Sequence, residues 1–418
     1  VTPTGRASRL TYLDHASTSP LRPEVAEAMA PFAGARYGNA SGSHRIARDA
    51  RVALEEARDA VAEVLGAEPA EVVFTSGGTE SDNLAVFGAL AGRSRRGAGN
   101  IAPARPGPGL GRSGPQPWTV VCSAVEHAAV LEPCRVAAGR SARNLGEAAI
   151  ELREAPVDAG GAVDLEGLEA LLDESEEVAL VSVMLANNEV GTVQPLDAVV
   201  DAVRRRAPGA VVHTDAVQAA VWLDMARVAA GADLVSVSAH KLGGPKGIGA
   251  LVVRRHTPIE PLVYGGGQEQ ERRSGTQNVA GAVGLATALQ VVAGSREKEG
   301  ARVRALRDRL ADGLLAAVPG TVESADRRRV LPGHCHLRFD GIEQEELLVL
   351  LDEDGICASA GSACASGALE PSHVLQAMGV TPAGARSAMR FTLGYTTTAA
   401  DVDHALAVVG PAVARLRS

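Results

Sequence analysis

At 418 residues the chain is too long for one compact core, so a large domain with a smaller one attached is the expected organisation. A formal charge of -9 argues against nucleic-acid binding as the main function, and 46% hydrophobic with 22% charged residues is the balance of a soluble globular protein. Five scattered cysteines with no Cys-x-x-Cys pair exclude a disulfide scaffold and suit reduced thiols in the cytoplasm. The stretch Val1 to Leu10 lacks the apolar run of a signal peptide, and no uninterrupted apolar stretch approaches the roughly 18 residues of a membrane span. The expectation is therefore a cytoplasmic protein with no membrane partner and no direct nucleic-acid partner.

Short apolar runs alternate with longer helical patterns along the chain. Ser43–Leu65 is charged and Ala-rich and reads as a helix; Val72–Thr75 reads as a buried strand, followed through a Gly turn by a helix at Ser81–Leu90. Arg93–Pro117 is dense in Gly, Pro and Arg without periodicity, and reads as a flexible surface insertion. Further strands are expected at Thr119–Cys122, Val178–Val183, Ala210–His213, Leu234–Val237 and Ala250–Val253, with helices at Asp164–Leu172, capped by Asp164, and at Leu196–Arg206. Such alternation implies an α/β fold around a mainly parallel sheet. From Arg302 the pattern changes: a long helix, a strand at His334–Phe339, a helix at Glu343–Leu351, then Ile356–Ser359, a strand at Ala388–Leu393 and a terminal helix after Thr398. That is the composition of a small α+β C-terminal domain, and the boundary falls near residue 296.

Several residues carry chemistry. Lys241 follows the strand Leu234–Val237 within Ser-Ala-His-Lys, ahead of a Gly-rich turn, a setting that suits a Schiff base to a carbonyl cofactor. A surface lysine in a loop is the plainer alternative. Asp215 stands at another strand end, where a carboxylate points into the ligand crevice of an α/β sheet or caps the next helix. Ser76-Gly77-Gly78-Thr79-Glu80 joins a strand to a helix and can cradle a phosphate, without being a Walker A loop. His127 and Asn188 also follow strands, and Arg390 is a cation in an apolar strand that could hold a carboxylate bidentately. In Ser359-Ala-Gly-Ser-Ala-Cys364-Ala-Ser-Gly367 small residues flank one cysteine, which reads as exposed and reactive; Cys357, among apolar neighbours, is the inert comparison.

With these residues in place the chain resembles the cysteine desulfurases of the NifS/IscS-like group, pyridoxal-phosphate enzymes of aminotransferase fold type I. The resemblance runs from Tyr12-Leu-Asp-His-Ala16 through Thr75–Asn83, Glu126-His127, Asn187–Gly191, Asp215–Gln218, Ser238–Gly249 and Arg273–Thr276 to Gly361–Cys364 and Gly394. It implies a large pyridoxal-phosphate domain with a mainly parallel seven-stranded sheet over 18–295. An N-terminal segment, 1–17, would pack with a small domain over 296–418 that carries the cysteine loop. By resemblance Lys241 would bind the cofactor covalently and Asp215 would pair with its ring nitrogen. Gln218 and Asn188 would reach its hydroxyl, and His127, also a catalytic residue, would stack on the ring. Gly78, Thr79, Ser238 and His240 would hold its phosphate, joined by Thr276 of the second subunit of a homodimer. Arg390 and Asn188 would grip the carboxylate of L-cysteine, and Cys364 would become the persulfide. The sulfur would pass to an Fe–S scaffold or a tRNA-thiolation enzyme. Cys364 is also the one residue considered as a metal ligand, to a shared Fe–S cluster. A selenocysteine lyase, an aminotransferase or a non-catalytic scaffold on the same fold are the alternatives. Three departures stand out: the Arg93–Pro117 stretch, Ala40 in place of a proline, and Tyr395 where relatives often carry a basic residue.

Overall fold

The computed structural model describes residues 10–98, 117–141, 149–361 and 371–418. Its strands in chain order are β1 (Thr11–Tyr12), β2 (Val72–Thr75), β3 (Trp118–Ser123), β4 (Ile150–Ala155), β5 (Val178–Ser182), β6 (Val211–Asp215), β7 (Leu234–Ser238), β8 (Gly249–Val253), β9 (Thr321–Glu323), β10 (His334–Phe339), β11 (Ile356–Cys357) and β12 (Ala388–Thr392). The main sheet has seven strands in the order β2-β8-β7-β6-β5-β3-β4. The pairs from β4 through β3, β5 and β6 to β7 are parallel, and β8 runs antiparallel to both β7 and β2. The expected mainly parallel α/β architecture is what forms.

The interior strands read as apolar runs because both of their faces are buried. Along β5, Val178 and Val181 join the core on one side of the sheet while Ala179 and Leu180 join the core on the other. β7 divides likewise, with Val235 and Val237 on the first side and Leu234 on the second. The sequence pattern did not mark β4, whose Ile-Glu-Leu-Arg-Glu-Ala is mostly half-exposed at the sheet edge and so lacks a continuous apolar run.

A helical run begins at Gly78, passes through a π turn at Leu84–Gly88 and continues to Ala98. It therefore takes in Arg93, which corrects the reading of Arg93–Pro117 as one unstructured insertion. The Arg93 guanidinium donates to the Gly209 carbonyl at 2.7 Å and pairs with Glu177 at 2.9 Å, tertiary bonds that hold a stretch of weak helix propensity. Residues 99–116, the rest of that insertion, lie outside the described residues.

The helix Val279–Ala317 also departs from expectation, since it begins well before Arg302 and passes unbroken through residue 296. Its first half is a run of Ala, Gly, Val and Leu packed against the helices Pro23–Ala33 and Arg45–Leu65, so it shows no amphipathic stripe to read. Although long and apolar enough to cross a membrane, half of its most apolar window is buried inside the protein. Its second half enters another core with the antiparallel sheet β12-β10-β9 and the helix Ala399–Leu416. The N-terminal segment joins this second core: β1 pairs in parallel with β11, and Leu13 is fully buried beside Phe339 and Phe391. A side chain of that size contributes roughly 2 kcal/mol by burial alone.

Candidate active site

The strands β6 and β7 lie side by side and end on Asp215 and Ser238; the turn Ala239–Lys241 follows β7 directly. These are the carboxyl ends of parallel strands, where open α/β sheets take their ligands. A cavity of about 410 Å³ opens there. It is lined by Gly78, Thr79, His127, Asn188, Asp215, Gln218, Ser238, His240, Lys241 and Arg390, all expected from sequence, together with Ala16, Ser17, Asp82, Met184 and Gly361. Thr276 is exposed and stands outside the cavity of its own chain. A wider hollow of about 990 Å³ lies at the opposite ends of β3, β6 and β7. There Arg204 and His256 are both engaged by Asp233, and Arg93 by Glu177. The smaller cavity is where reactive groups converge.

Lys241 is oriented from below by the N-terminal segment. Its Nζ donates to the carbonyls of Ala16 and, at 2.7 Å, of Ser17, and Gln218 Nε2 donates to the same Ala16 carbonyl at 2.8 Å. The next residue back, His240, shares a hydrogen bond of 3.2 Å with Thr18 Oγ1. Burial first, then the charges of Lys241 and Lys246, push its imidazole down to about 4, so the ring is neutral at physiological pH. Sequence reasoning missed Ala16 and Ser17 because they act through backbone carbonyls, which no residue type announces.

Asp215 Oδ1 accepts the Val217 N–H at 2.8 Å, an Asx turn just past the strand. Burial raises its carboxyl above the ordinary range, and the Val217 N–H, His127 and Lys241 oppose that rise. His127 caps the following helix by accepting the Ala129 N–H on Nδ1 at 3.1 Å.

At the other end of the cavity β2 delivers Ser76-Gly77-Gly78 into the helical run. The close approach depends on glycine. A Cβ on Gly78 would sit 2.9 Å from Val217 Cγ2, and one on Gly249 of β8 would lie 2.8 Å from the Gly77 backbone. The turn is braced by Glu80, which accepts the Ser76 N–H at 2.7 Å and pairs with Arg273 at 2.8 Å. A helix start with nearby hydroxyls, a lysine, and a buried acid at the far end form the donor set that pyridoxal phosphate requires. The cavity residues fit that cofactor.

Arg390, on β12, is 3% exposed and donates to the Asn188 carbonyl at 2.9 Å, Asp14 Oδ1 at 2.9 Å and Ser17 Oγ at 2.7 Å; its Nε has no partner. Its backbone pairs with Ser359. Two residues on, Gly361 adopts φ of +84°, a left-handed conformation beside Glu189 and His336. Ser372 Oγ donates to Glu189 Oε2 at 2.6 Å. Gly361 and Ser372, on either side of residues 362–370, thus both approach Glu189. Cys364 itself, with its persulfide and metal readings, lies outside the described residues. Among the described residues no group of three or more His, Cys, Asp or Glu could hold a metal ion. Cys357 pairs through β11 with Tyr12, and burial pushes its thiol up, away from reactivity.

The aminotransferase class-V family model matches residues 11–100 and 109–405. The chain belongs to that family. Its cofactor is pyridoxal 5'-phosphate. An IscS-like cysteine desulfurase of Mycobacterium tuberculosis strain H37Rv is 44% identical over 409 residues, covering 98% of this chain and 97% of the relative. The cysteine desulfurase NifS of Azotobacter vinelandii is 38% identical, covering 97% of this chain and 93% of its own. A solved NifS-like protein superposes with a TM-score of 0.84 at 33% identity, covering 98% of this chain and all of the other. Within the family the chain stands among the cysteine desulfurases.

Proposed function

We propose that this enzyme takes the sulfur of L-cysteine onto Cys364 as a persulfide, releases L-alanine, and hands the sulfur to an acceptor protein of Fe–S cluster assembly or tRNA thiolation. We place it in the cytoplasm as a homodimer. One observation carries the reading: Lys241, Asp215 and Arg390 line a single cavity whose wall includes Gly361, three residues before Cys364. Three residues of chain span at most about 11 Å.

Arg390 and Asn188 bind the substrate carboxylate, and Arg390 is held for this by Asp14 and Ser17. Gly78, Thr79, Ser238 and His240 hold the cofactor phosphate. Thr276 of a second copy adds to them, which agrees with its exposed position away from its own cavity. His127 would pack on the ring, Gln218 and Asn188 would reach its hydroxyl, and Asp215 would keep a proton on the ring nitrogen. When bound, the cofactor accepts the electron pair left at the substrate Cα and so weakens the Cβ–S bond. Lys241 Nζ, released from the cofactor, takes the Cα proton and returns it later. The Cys364 thiolate attacks the substrate sulfur; an S–S bond forms as the Cβ–S bond breaks, and the carbon takes up a proton on the way to alanine.

The test is mass spectrometry of the Cys364 peptide after incubation with L-cysteine, beside alanine release. One added sulfur on Cys364 is expected in the wild-type protein, and neither persulfide nor stoichiometric alanine in Cys364→Ser. Alanine formation at the wild-type rate by Cys364→Ser would overturn the nucleophile assignment.

A further inference from the structure

Two more carboxyls lie around Asp215, and each keeps one buried oxygen without a hydrogen-bond partner. Asp82, near the start of the helical run, lines the cavity at 1% exposure, and its Oδ1 has no hydrogen-bond partner. Glu126, just ahead of His127, is fully buried; its Oε1 accepts the Met184 N–H at 2.6 Å while Oε2 has no partner. An ionised carboxylate in such a place needs donors or a counter-ion to offset the loss of water.

The surroundings supply no counter-ion to Asp82. The imidazole beside it is His213, whose Nε2 lies 3.6 Å from Asp82 Oδ1. Both ring nitrogens of His213 are already taken, by Ser182 Oγ at 2.8 Å and Ser236 Oγ at 3.0 Å. Burial pushes this imidazole down to about 3, so it is neutral. Of the elements packed on the helix of Asp82, β2, β7 and β8 carry no acidic or basic side chain. Among its described side chains the helix Ala128–Ser141 carries Glu132 and Arg135, paired with each other at the surface, and the buried thiol of Cys134. Asp215 on β6 is the remaining charge facing Asp82, and it is of like sign. Asp215 itself has what the other two lack: the charges of His127 and Lys241 in range, beside the Val217 N–H on its Oδ1.

We infer that Asp82 and Glu126 are neutral, proton-bearing carboxylic acids, so that this three-carboxyl cluster holds one negative charge and that charge sits on Asp215. Burial, reinforced by the charge of Asp215 and opposed by a hydrogen bond with the Ser236 hydroxyl, raises the Asp82 acid well above the carboxylate range. Burial does the same for Glu126, reinforced by the charge of Asp215 and opposed by the Met184 N–H. Both are positioning residues, acting through Asp215 rather than on substrate. Two like charges so close in a dry site cannot both persist cheaply, and the better-solvated one stays ionised. The inference rests on the role given to Asp215 above, and it deepens that role: the ring nitrogen meets one fixed anion.

Infrared spectroscopy of the holoenzyme separates the three groups. The wild type should show buried protonated-carboxyl stretches that persist from about pH 6 to about pH 9, where free carboxyls are fully ionised. Asp82→Asn and Glu126→Gln should each remove one protonated component and leave the ionised band unchanged. Asp215→Asn should remove ionised intensity alone. Ionised intensity lost in Asp82→Asn or Glu126→Gln overturns the inference. So does a wild-type spectrum without protonated bands, a measurement that decides even if a variant fails to fold. An intact infrared pattern in a protein that transfers no sulfur supports the charge assignment and counts against the proposed function alone.

Discussion

The cavity wall built on the seven-stranded sheet carries Asp215 and Asp82, with Glu126 buried nearby, whereas the wall built on the three-stranded sheet carries Arg390, with His334 and His336 buried on the neighbouring strand. On the first wall burial raises the acids; on the second it pushes both histidines down to about 3, leaving Arg390 as the only charge on that side of β10 and β12 to face the cavity among the described residues. Desolvation acts alike on both walls, removing charge from every group that lacks a partner. The charges that survive, one anion and one cation, are those with an opposite charge beside them: His127 and Lys241 near Asp215, and Asp14 on Arg390. In the proposed reading the cofactor's ring nitrogen would face the acidic wall and the substrate carboxylate the basic one.

Lys241 stands between the walls, and its loss should have the largest effect. Lys241→Ala should lower turnover by at least about a thousandfold, since covalent attachment and Cα proton transfer both vanish. Borohydride reduction with peptide mapping checks it: label on Lys246 in the wild-type protein would displace the assignment. Next is the acidic wall. Asp215→Asn should retain the cofactor yet slow exchange of the substrate Cα proton with deuterated solvent by roughly a hundredfold or more. Exchange at the wild-type rate would show that the ring nitrogen needs no anion here.

The basic wall should answer differently. Arg390→Lys keeps the charge but loses the planar fork, so KM for L-cysteine should rise by about tenfold to a hundredfold while kcat changes less. A drop in kcat at constant KM would move Arg390 from binding to chemistry.

The smallest effect concerns pH. His15 and His240 are pushed down to about 4, and His213, His334 and His336 to about 3, each chiefly by burial. A histidine with a depressed folded value contributes stability that is full above its ordinary value of 6.5 and is lost as the pH falls toward the folded value. The raised acids Asp82, Glu126 and Asp215 have the opposite sign, and lose stability as the pH rises past the ordinary carboxylate range. The histidines outnumber the acids, so the melting temperature should fall between about pH 7 and about pH 5, where histidines titrate in the unfolded chain. A melting temperature that rises on acidification would mean the acids dominate.

Much of the large-sheet wall was legible before any coordinates. Its strands are buried on both faces, so they appear as apolar runs, and whatever follows each run stands at a strand end; Asp215, Lys241 and the Gly77-Gly78 turn were found that way. Cys364 could be singled out by its small neighbours, and its role came with the family resemblance. The first half of Val279–Ala317 could not be placed as a helix, because burial on all sides removes the periodicity by which helices are recognised.

By itself, then, the sequence determined the strand ends, the reactive side chains that follow them and the family. Those are properties of short windows, within which local periodicity and residue type suffice. Only the tertiary structure decided what surrounds each group. The anion beside Arg390 is Asp14, 376 positions away; the carbonyl under Lys241 belongs to Ala16, 225 positions away; and the hydroxyl on Glu189 comes from Ser372, 183 positions away. Such pairings follow from how the two cores pack around one long helix, and the loss of water they impose sets which buried groups keep their charge.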